Sequence, residues 1–401
     1  MITRVILMVL DGLGIGELPD AEHYGDAGTN TLAHVAASVG GLSLPALERL
    51  GLGHIGAFSG VRRASDPEGC FGKMQEQSKG KDSTTGHWEI AGLVVHTPFP
   101  VYPNGFPSEL IEAYEGLIGR KILGNKTASG TQIVNELGDE HMRTGAPIVY
   151  SSADSVFRIA AHEQVIPVQD LYHLCRVARK LLRPPHQVSR VIARPFRGRR
   201  GAFVRTSDRR DFSVEPPDRT LLDILARVGQ PVIGIGKIDD LFAGRGVGRS
   251  IRTVSDADGI EQTIKLLRTV ARGLIFVNLV DLDTVYGHRK GVLGYAKALE
   301  TFDRRLPHIV AAMRPGDALF LIADHGNDPT SPGTDHSREY VPLLVHGPRL
   351  ARGVNLGIRR TFADVGQTIA DALADTMLPN GESFLPALYL ARIPAGKHCA
   401  R

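Results

Sequence analysis

The chain has 401 residues, 42% hydrophobic and 22% charged, so it reads as a soluble globular protein long enough for one large domain and a smaller one. A net charge of +4 argues against a dedicated nucleic-acid surface, even though eight arginines gather in residues 190–210. Cys70, Cys175 and Cys399 are too scattered for a disulfide framework, and no run approaches the roughly 18 apolar residues of a membrane span or the h-region of a signal peptide; the expectation is a cytoplasmic protein with neither nucleic-acid nor membrane partners.

In chain order, "RVILMVL" (4–10) is the first candidate strand, and Asp11 closes it. "KGKDSTTGHWEI" (79–90) follows, with the hydroxyls Ser83, Thr84 and Thr85 in a glycine-bearing stretch read as a loop. From about Pro98 to Pro217 the pattern loosens into Pro, Gly and Arg clusters with short strands such as "PIVYSSA" and "VSRVIARPF". This middle part reads as an inserted smaller α/β cap domain over 99–217, between core segments 1–98 and 218–401. The second core segment alternates periods. Helical spacing over 218–229 precedes strand "PVIGIG" (231–236), and helix 257–271 precedes "GLIFVNLV" (273–280). Helix 291–313 precedes "DALFLIA" (317–323), then come "VPLLVHG" (341–347) and helix 361–374. Continuous rather than alternating hydrophobicity suggests strands buried on both faces, so the fold class is α/β with a mostly parallel sheet flanked by helices.

Titratable residues sit where these strands end. Asp11, the pair Asp281 and Asp283, and the pair Asp324 and His325 each close a candidate strand, at the edge where open α/β sheets bind ligands. His288 and His336 follow in glycine-containing loops. Such carboxylates and imidazoles can hold two divalent ions, and oxygen and nitrogen donors without thiolate suit Mn²⁺ or Zn²⁺, with carboxylate-rich sites leaning toward Mn²⁺. Any one strand-end aspartate could be a turn former or a helix cap. Convergence of several loops on one edge is what favours a metal site. Asp281 and Asp283 fall on the same side of an extended chain, so spacing does not choose between them. His87, Asp328 and Asp335 read as supporting or loop-shaping groups, and His23, His34, His54 and His308 as surface or packing residues.

A metal pair also gives the hydroxyl run a chemistry. A divalent cation stabilises an alkoxide without a dedicated base, and two ions roughly 3.5 to 4 Å apart neutralise a transferring phosphoryl group. The expected intermediate is a phosphorylated side chain, and spacing leaves Ser83, Thr84 and Thr85 all open.

The segments "MVLDGLGIGELPDA", "GKDSTTGHWEIAGL", "IVYSSADSVFRIAAHE", "VIARPF", "GIGKIDDLFAGRG", "NLVDLDTVYGHR", "IADHGNDPTSPGTDHSREYVPLLVHG" and "FADVGQTIADAL" resemble, in order and along almost the whole chain, the phosphopentomutases of the alkaline phosphatase superfamily. The resemblance implies an alkaline-phosphatase-like core and interconversion of ribose 1-phosphate and ribose 5-phosphate, and of the deoxyribose pair, in nucleoside salvage. It implies two Mn²⁺ ions, activation by a sugar bisphosphate such as glucose 1,6-bisphosphate, and pentose phosphates as the small-molecule partners of a monomer. By motif, the phosphothreonine nucleophile is Thr85, directly before "GHWE". Asp283, His288 and His336 are assigned to one metal, and Asp11, Thr85, Asp324 and His325 to the other. Asp154 of "SADS" looks like a ribose-hydroxyl contact, and Arg194, Arg209 and Lys237 look like grippers of the distal phosphate, for which a guanidinium fork is well suited. One departure is visible: Ser83 stands where relatives usually have threonine.

Overall fold

Strand Arg4–Leu10 is buried along its whole length and forms the axis of an eight-stranded sheet. In a computed structural model that describes residues 1–152 and 155–389, the order across this sheet is Arg249–Ile251, Val232–Ile235, Gly273–Leu279, Arg4–Leu10, Asp317–Ile322, Val341–His346, Cys70–Met74 and Asn355–Arg359. Arg4–Leu10 pairs in parallel with Gly273–Leu279 on one side and Asp317–Ile322 on the other, and the registers set Leu10 beside Leu279 and Val9 beside Ile322. Three strand ends therefore finish side by side, and the residues that follow them share one edge. At the opposite end of the same strands the buried Arg4 guanidinium is held by Asp317.

The sheet is mostly parallel, with one reversal. Val341–His346 runs antiparallel to both of its neighbours, Asp317–Ile322 and Cys70–Met74. A continuous apolar run reports burial on both faces, which this strand has, and carries no information on direction. Helices Leu221–Arg227, Asp256–Thr269, Val292–Ala311 and Ala363–Ala374 pack their apolar sides inward. Their starts are written in the sequence. Thr220 and Asp223 make a capping box, and the Ser255 hydroxyl accepts from the Asp258 N–H.

The chain divides into two compact units, one of Met1–Thr97 with the chain from Pro216 onward, the other of Pro98–Glu215. The second unit has its own sheet, ordered Leu123–Thr127, Ile148–Ser151, Val156–His162, Arg190–Arg197 and Val204–Arg205, with Arg210–Ser213 also pairing to Arg190–Arg197. Along Val156–His162 the side chains alternate: Phe157, Ile159 and Ala161 join one apolar cluster, while Ala160 joins another with Ile133, Val134 and Phe196. Helices Ser108–Ile118 and Val168–Leu181 supply the first cluster and Gly130–Thr144 the second. Each of these helices buries only a narrow stripe, which is why a stretch that reads as loose Pro, Gly and Arg clusters contains regular helix. Among the described residues no helix is long and apolar enough to cross a membrane.

Candidate metal centre

The carboxylates come first, because the sheet places them. Asp11 follows its strand directly, and its backbone N–H continues the parallel ladder to the Leu279 carbonyl. Its side chain is fully buried, and Oδ2 accepts from Asn278 Nδ2 at 2.9 Å. The chain then turns through Gly12, at φ +83°, whose N–H reaches Asp324 Oδ1 at 3.3 Å. After Gly273–Leu279 the backbone coils at once into a π-helical turn, Leu282–Tyr286. Two residues apart is the same side of a strand but the opposite side of a helix, and that separates the two aspartates. Asp281 and Asp256 each donate a backbone N–H to the other's carboxylate, whereas Asp283 is buried and accepts from Asn327 Nδ2 at 2.7 Å. Gly287 keeps this arrangement open, since a Cβ there would stand 2.5 Å from the Asn327 amide.

Around these carboxylates stand three imidazoles. His325 Nε2 lies 3.4 Å from Asp11 Oδ1 and 3.3 Å from Asp324 Oδ2. His336 Nε2 and His288 Nε2 lie 3.3 and 3.4 Å from Asp283 Oδ1. The rings of His325 and His336 stack at 3.8 Å, and His288 adjoins His336 at 4.8 Å. Two ligand sets result, Asp283 with His325 and His336, and Asp11 with Asp324 and His325, and in each the donor atoms lie within 4.8 Å of one another. The Nδ1 atoms of His325 and His288 face the carbonyls of Gly326 and Thr334, which can only accept, so both rings turn an Nε2 lone pair into the cluster.

Burial, then the charges of Asp324 and Asp283, push the Asp11 carboxyl upward. Burial also disfavours charge on Asp283, but His336 and His288 outweigh it and hold this carboxyl well below the usual carboxylate range. Three buried carboxylates near enough to oppose one another's charge are costly without cations among them. Asp11 Oδ1 accepts no hydrogen bond among the described residues. The donor set of carboxylate oxygen and imidazole nitrogen, with no thiolate, fits a divalent ion such as Mn²⁺ or Zn²⁺.

The hydroxyl run, expected in a loop, lies on a helix, Ser83–Ile90. Asp82 caps it: Oδ1 accepts from the N–H groups of Thr84 and Thr85, and Oδ2 accepts the Thr85 hydroxyl at 2.5 Å. Thr85 is buried, and Gly80 packs so closely that a Cβ there would sit 2.6 Å from Thr85 Oγ1. The hydroxyl that touches a metal-ligand side chain is that of Ser83, 3.1 Å from His325 Nε2. In a helix, residues 83 and 85 face different ways: Ser83 meets His325, and Thr85 gives its hydroxyl hydrogen to the Asp82 carboxylate. His87, one turn further on, is fully buried with Nδ1 3.1 Å from Asp324 Oδ2.

Of the proposed phosphate contacts, Lys237 caps the short helix Ile238–Leu241 in the first unit, and its ammonium partly offsets the upward push on Asp11. Arg194 and Arg209 lie in the second unit. Arg209 forks onto Asp211 at 2.8 and 2.7 Å, and burial, then the charge of Arg209, lowers Arg194 to about 10. Asp154 lies outside the described residues. Besides Asp82, the spacing of motifs overlooked Asn278 and Asn327, which orient two of the carboxylates. An amide carries no charge or metal-ligand signature, and only the register of neighbouring strands reveals the pairing.

Residues 242–375 match the model of the Metalloenzyme superfamily. The phosphopentomutase of Caldanaerobacter subterraneus subsp. tengcongensis is 56% identical over 97% of this chain and 99% of its own length. That of Carboxydothermus hydrogenoformans is 58% identical over 92% and 95%. A solved phosphoglycerate mutase from Leishmania mexicana aligns over 95% of this chain and 97% of its own with a TM-score of 0.48 at 14% identity, too remote to argue from. With more than half of its residues shared with such relatives along nearly the full length of both, and a buried set of metal-ligand side chains at its sheet edge, the chain belongs to the phosphopentomutase family and is a metal-dependent phosphomutase, an isomerase.

Proposed function

We propose that the enzyme interconverts the 1-phosphate and 5-phosphate of ribose and deoxyribose through a phosphorylated side chain, and that Thr85 is the residue phosphorylated. The observation that supports the reading is the buried carboxylate and imidazole cluster that the helix Ser83–Ile90 adjoins, with the Thr85 hydroxyl donating to the Asp82 carboxylate. Asp283, His288 and His336 would hold one divalent ion and Asp11, Asp324 and His325 the other, with Mn²⁺ the expected metal. When bound, such a pair neutralises the oxygens of a transferring phosphoryl group and favours the alkoxide of the acceptor.

The chain's own residues then set geometry and charge. Phosphorylated Thr85 gives its phosphoryl group to the free hydroxyl of the pentose monophosphate, making a pentose 1,5-bisphosphate; Thr85 Oγ1 then gains a bond to the other phosphorus as that ester bond to the sugar breaks, and the freed sugar oxygen takes up the proton that the Thr85 hydroxyl gives up. Lys237, Arg194 and Arg209 are proposed contacts for the substrate's second phosphate, and Asp154 for a ribose hydroxyl. A sugar bisphosphate such as glucose 1,6-bisphosphate is the proposed source of the first phosphoryl group.

Incubation with Mn²⁺ and glucose 1,6-bisphosphate, followed by peptide mapping, should place the phosphate on Thr85. Thr85→Ala should abolish labelling and Ser83→Ala should keep it. Phosphate on Ser83 overturns the assignment. Addition of ribose 1-phosphate should give ribose 5-phosphate by phosphorus NMR, and release of free phosphate instead would make the protein a hydrolase.

A further inference from the structure

We propose that Thr31 is a positioning residue that sets divalent-ion affinity from outside the cluster: Glu339 fixes the Thr31 hydroxyl, Thr31 holds the backbone of Asn327, and the Asn327 amide aims Asp283. This rests on the reading of Asp283 as a metal ligand given above. Each bond of the series is present. The Thr31 hydroxyl donates to Glu339 Oε1 at 2.6 Å, and its oxygen accepts the Asn327 N–H at 3.2 Å. Asn327 Nδ2 then donates to Asp283 Oδ1 at 2.7 Å, and this same oxygen lies 3.3 and 3.4 Å from Nε2 of His336 and His288. A carboxylate only accepts, so the amide presents its NH₂ there.

Glu339 gives the series its direction. Its partners all donate: Oε1 takes the hydroxyls of Thr31 and Ser337, and Oε2 the N–H groups of Gly16 and Thr31. Burial pushes the Glu339 carboxyl upward, and these bonds oppose the push. With its one hydrogen committed to Glu339, the Thr31 hydroxyl offers Asn327 only lone pairs. The Ser337 hydroxyl repeats the pattern one residue further on, accepting the Asp328 N–H at 3.3 Å. Gly326, between His325 and Asn327, packs so closely that a Cβ there would stand 2.5 Å from Glu339 Oε1. Thr31, Asn327 and Glu339 are all buried, so a missing member strands a desolvated polar group. Partners that orient a ligating carboxylate typically govern metal affinity by about 10- to 100-fold.

Valine and serine separate the hydroxyl from packing. Valine keeps the shape of Thr31 and loses the hydroxyl, whereas serine keeps the hydroxyl and leaves a methyl-sized gap. Chelator-stripped wild type, Thr31→Val and Thr31→Ser, each checked for folding by circular dichroism, are titrated with Mn²⁺ by calorimetry. The expected result is affinity within a few-fold of wild type for Thr31→Ser and a loss of about 10- to 100-fold for Thr31→Val. Equal losses, or the better retention by Thr31→Val that a packing role demands, overturn the proposal. Asn327→Ala removes the end of the series; it should lose about as much, and adding Thr31→Val to it should weaken binding no further. Losses that multiply show that Thr31 does not act through Asn327. Should Thr31→Val not fold, Thr31→Ser decides: a loss as large as that of Asn327→Ala refutes the role, and retained affinity beside a weakened Asn327→Ala upholds it. Asp283→Ala, titrated alongside, tests the underlying reading: unchanged affinity there removes Asp283 from the metal site and takes the role of Thr31 with it. A weakened Asp283→Ala with no difference between the two Thr31 variants refutes the positioning role alone.

Discussion

Gly86 packs directly on the backbone of Asp324: a Cβ added to Gly86 would come closer to the Asp324 carbonyl oxygen than real Cβ contacts come. Backbone cannot swing aside as a side chain can, so Gly86→Ala must push the helix Ser83–Ile90 away from the strand end that carries Asp324 and His325. A shift near 1 Å at a reacting group costs on the order of 100-fold in rate. Turnover of pentose 1-phosphate by Gly86→Ala should fall about that far, with a smaller loss of thermal stability. Wild-type turnover in a folded variant would mean that the close approach has no bearing on the chemistry.

The same helix is anchored at its far end by Glu89, which is fully buried. Its carboxylate accepts from the N–H groups of Gln77, Ser78 and Phe362 and from the hydroxyls of Ser78 and Thr361. Glutamine has nearly the same shape but turns an NH₂ toward backbone N–H groups, which only donate. Stranding buried donors costs roughly 1–3 kcal/mol each, so Glu89→Gln should lose about 3 kcal/mol of stability in urea unfolding. A loss below about 1 kcal/mol would show that the carboxylate's charge and its acceptor count are dispensable.

Chelation should destabilise the protein. Asp11, Asp283 and Asp324 crowd into one buried cluster, and a cation binding only the folded state adds about 2.7 kcal/mol at a hundred times its dissociation constant. The melting temperature should therefore drop on treatment with EDTA and return with excess Mn²⁺. Indifference of the melting temperature to both treatments would remove metal binding from these residues.

The strands that build this site were readable because each is a continuous apolar run ending in a charged residue: 4–10, 273–280 and 317–323 differ from the observed bounds by at most a residue. The two-residue spacing of Asp281 and Asp283 was not readable, because the choice depends on a π-helical turn that begins between strand and loop. The helical course of the hydroxyl run was hidden for a related reason. Asp82 before three small polar residues is a helix-capping pattern, but apolar periodicity is absent from "STTGHWEI", and only the helix shows that Ser83 and Thr85 diverge. His34, read as a surface or packing residue, is half exposed yet holds Asp328 at 2.6 Å, a pairing across 294 residues that no local pattern encodes.

The last prediction concerns pH and the pair that frames the π-helical turn. The N–H of Asp256 donates to Asp281 Oδ2 and that of Asp281 to Asp256 Oδ1, both at 3.0 Å. Burial, then the charge of Asp281, raises the Asp256 carboxyl from 3.8 to about 7. The folded chain thus holds this proton more tightly than the unfolded chain does. Between those two values the native state carries more protons, so stability falls as pH rises through the window, and the loss is complete above about pH 7. Asparagine keeps an acceptor oxygen for the Asp281 N–H and has nothing to ionise. Asp256→Asn should therefore gain stability relative to wild type between about pH 5 and about pH 8, read as a widening gap between urea midpoints. Parallel pH curves for the two proteins would show that Asp256 ionises alike in the folded and unfolded chain.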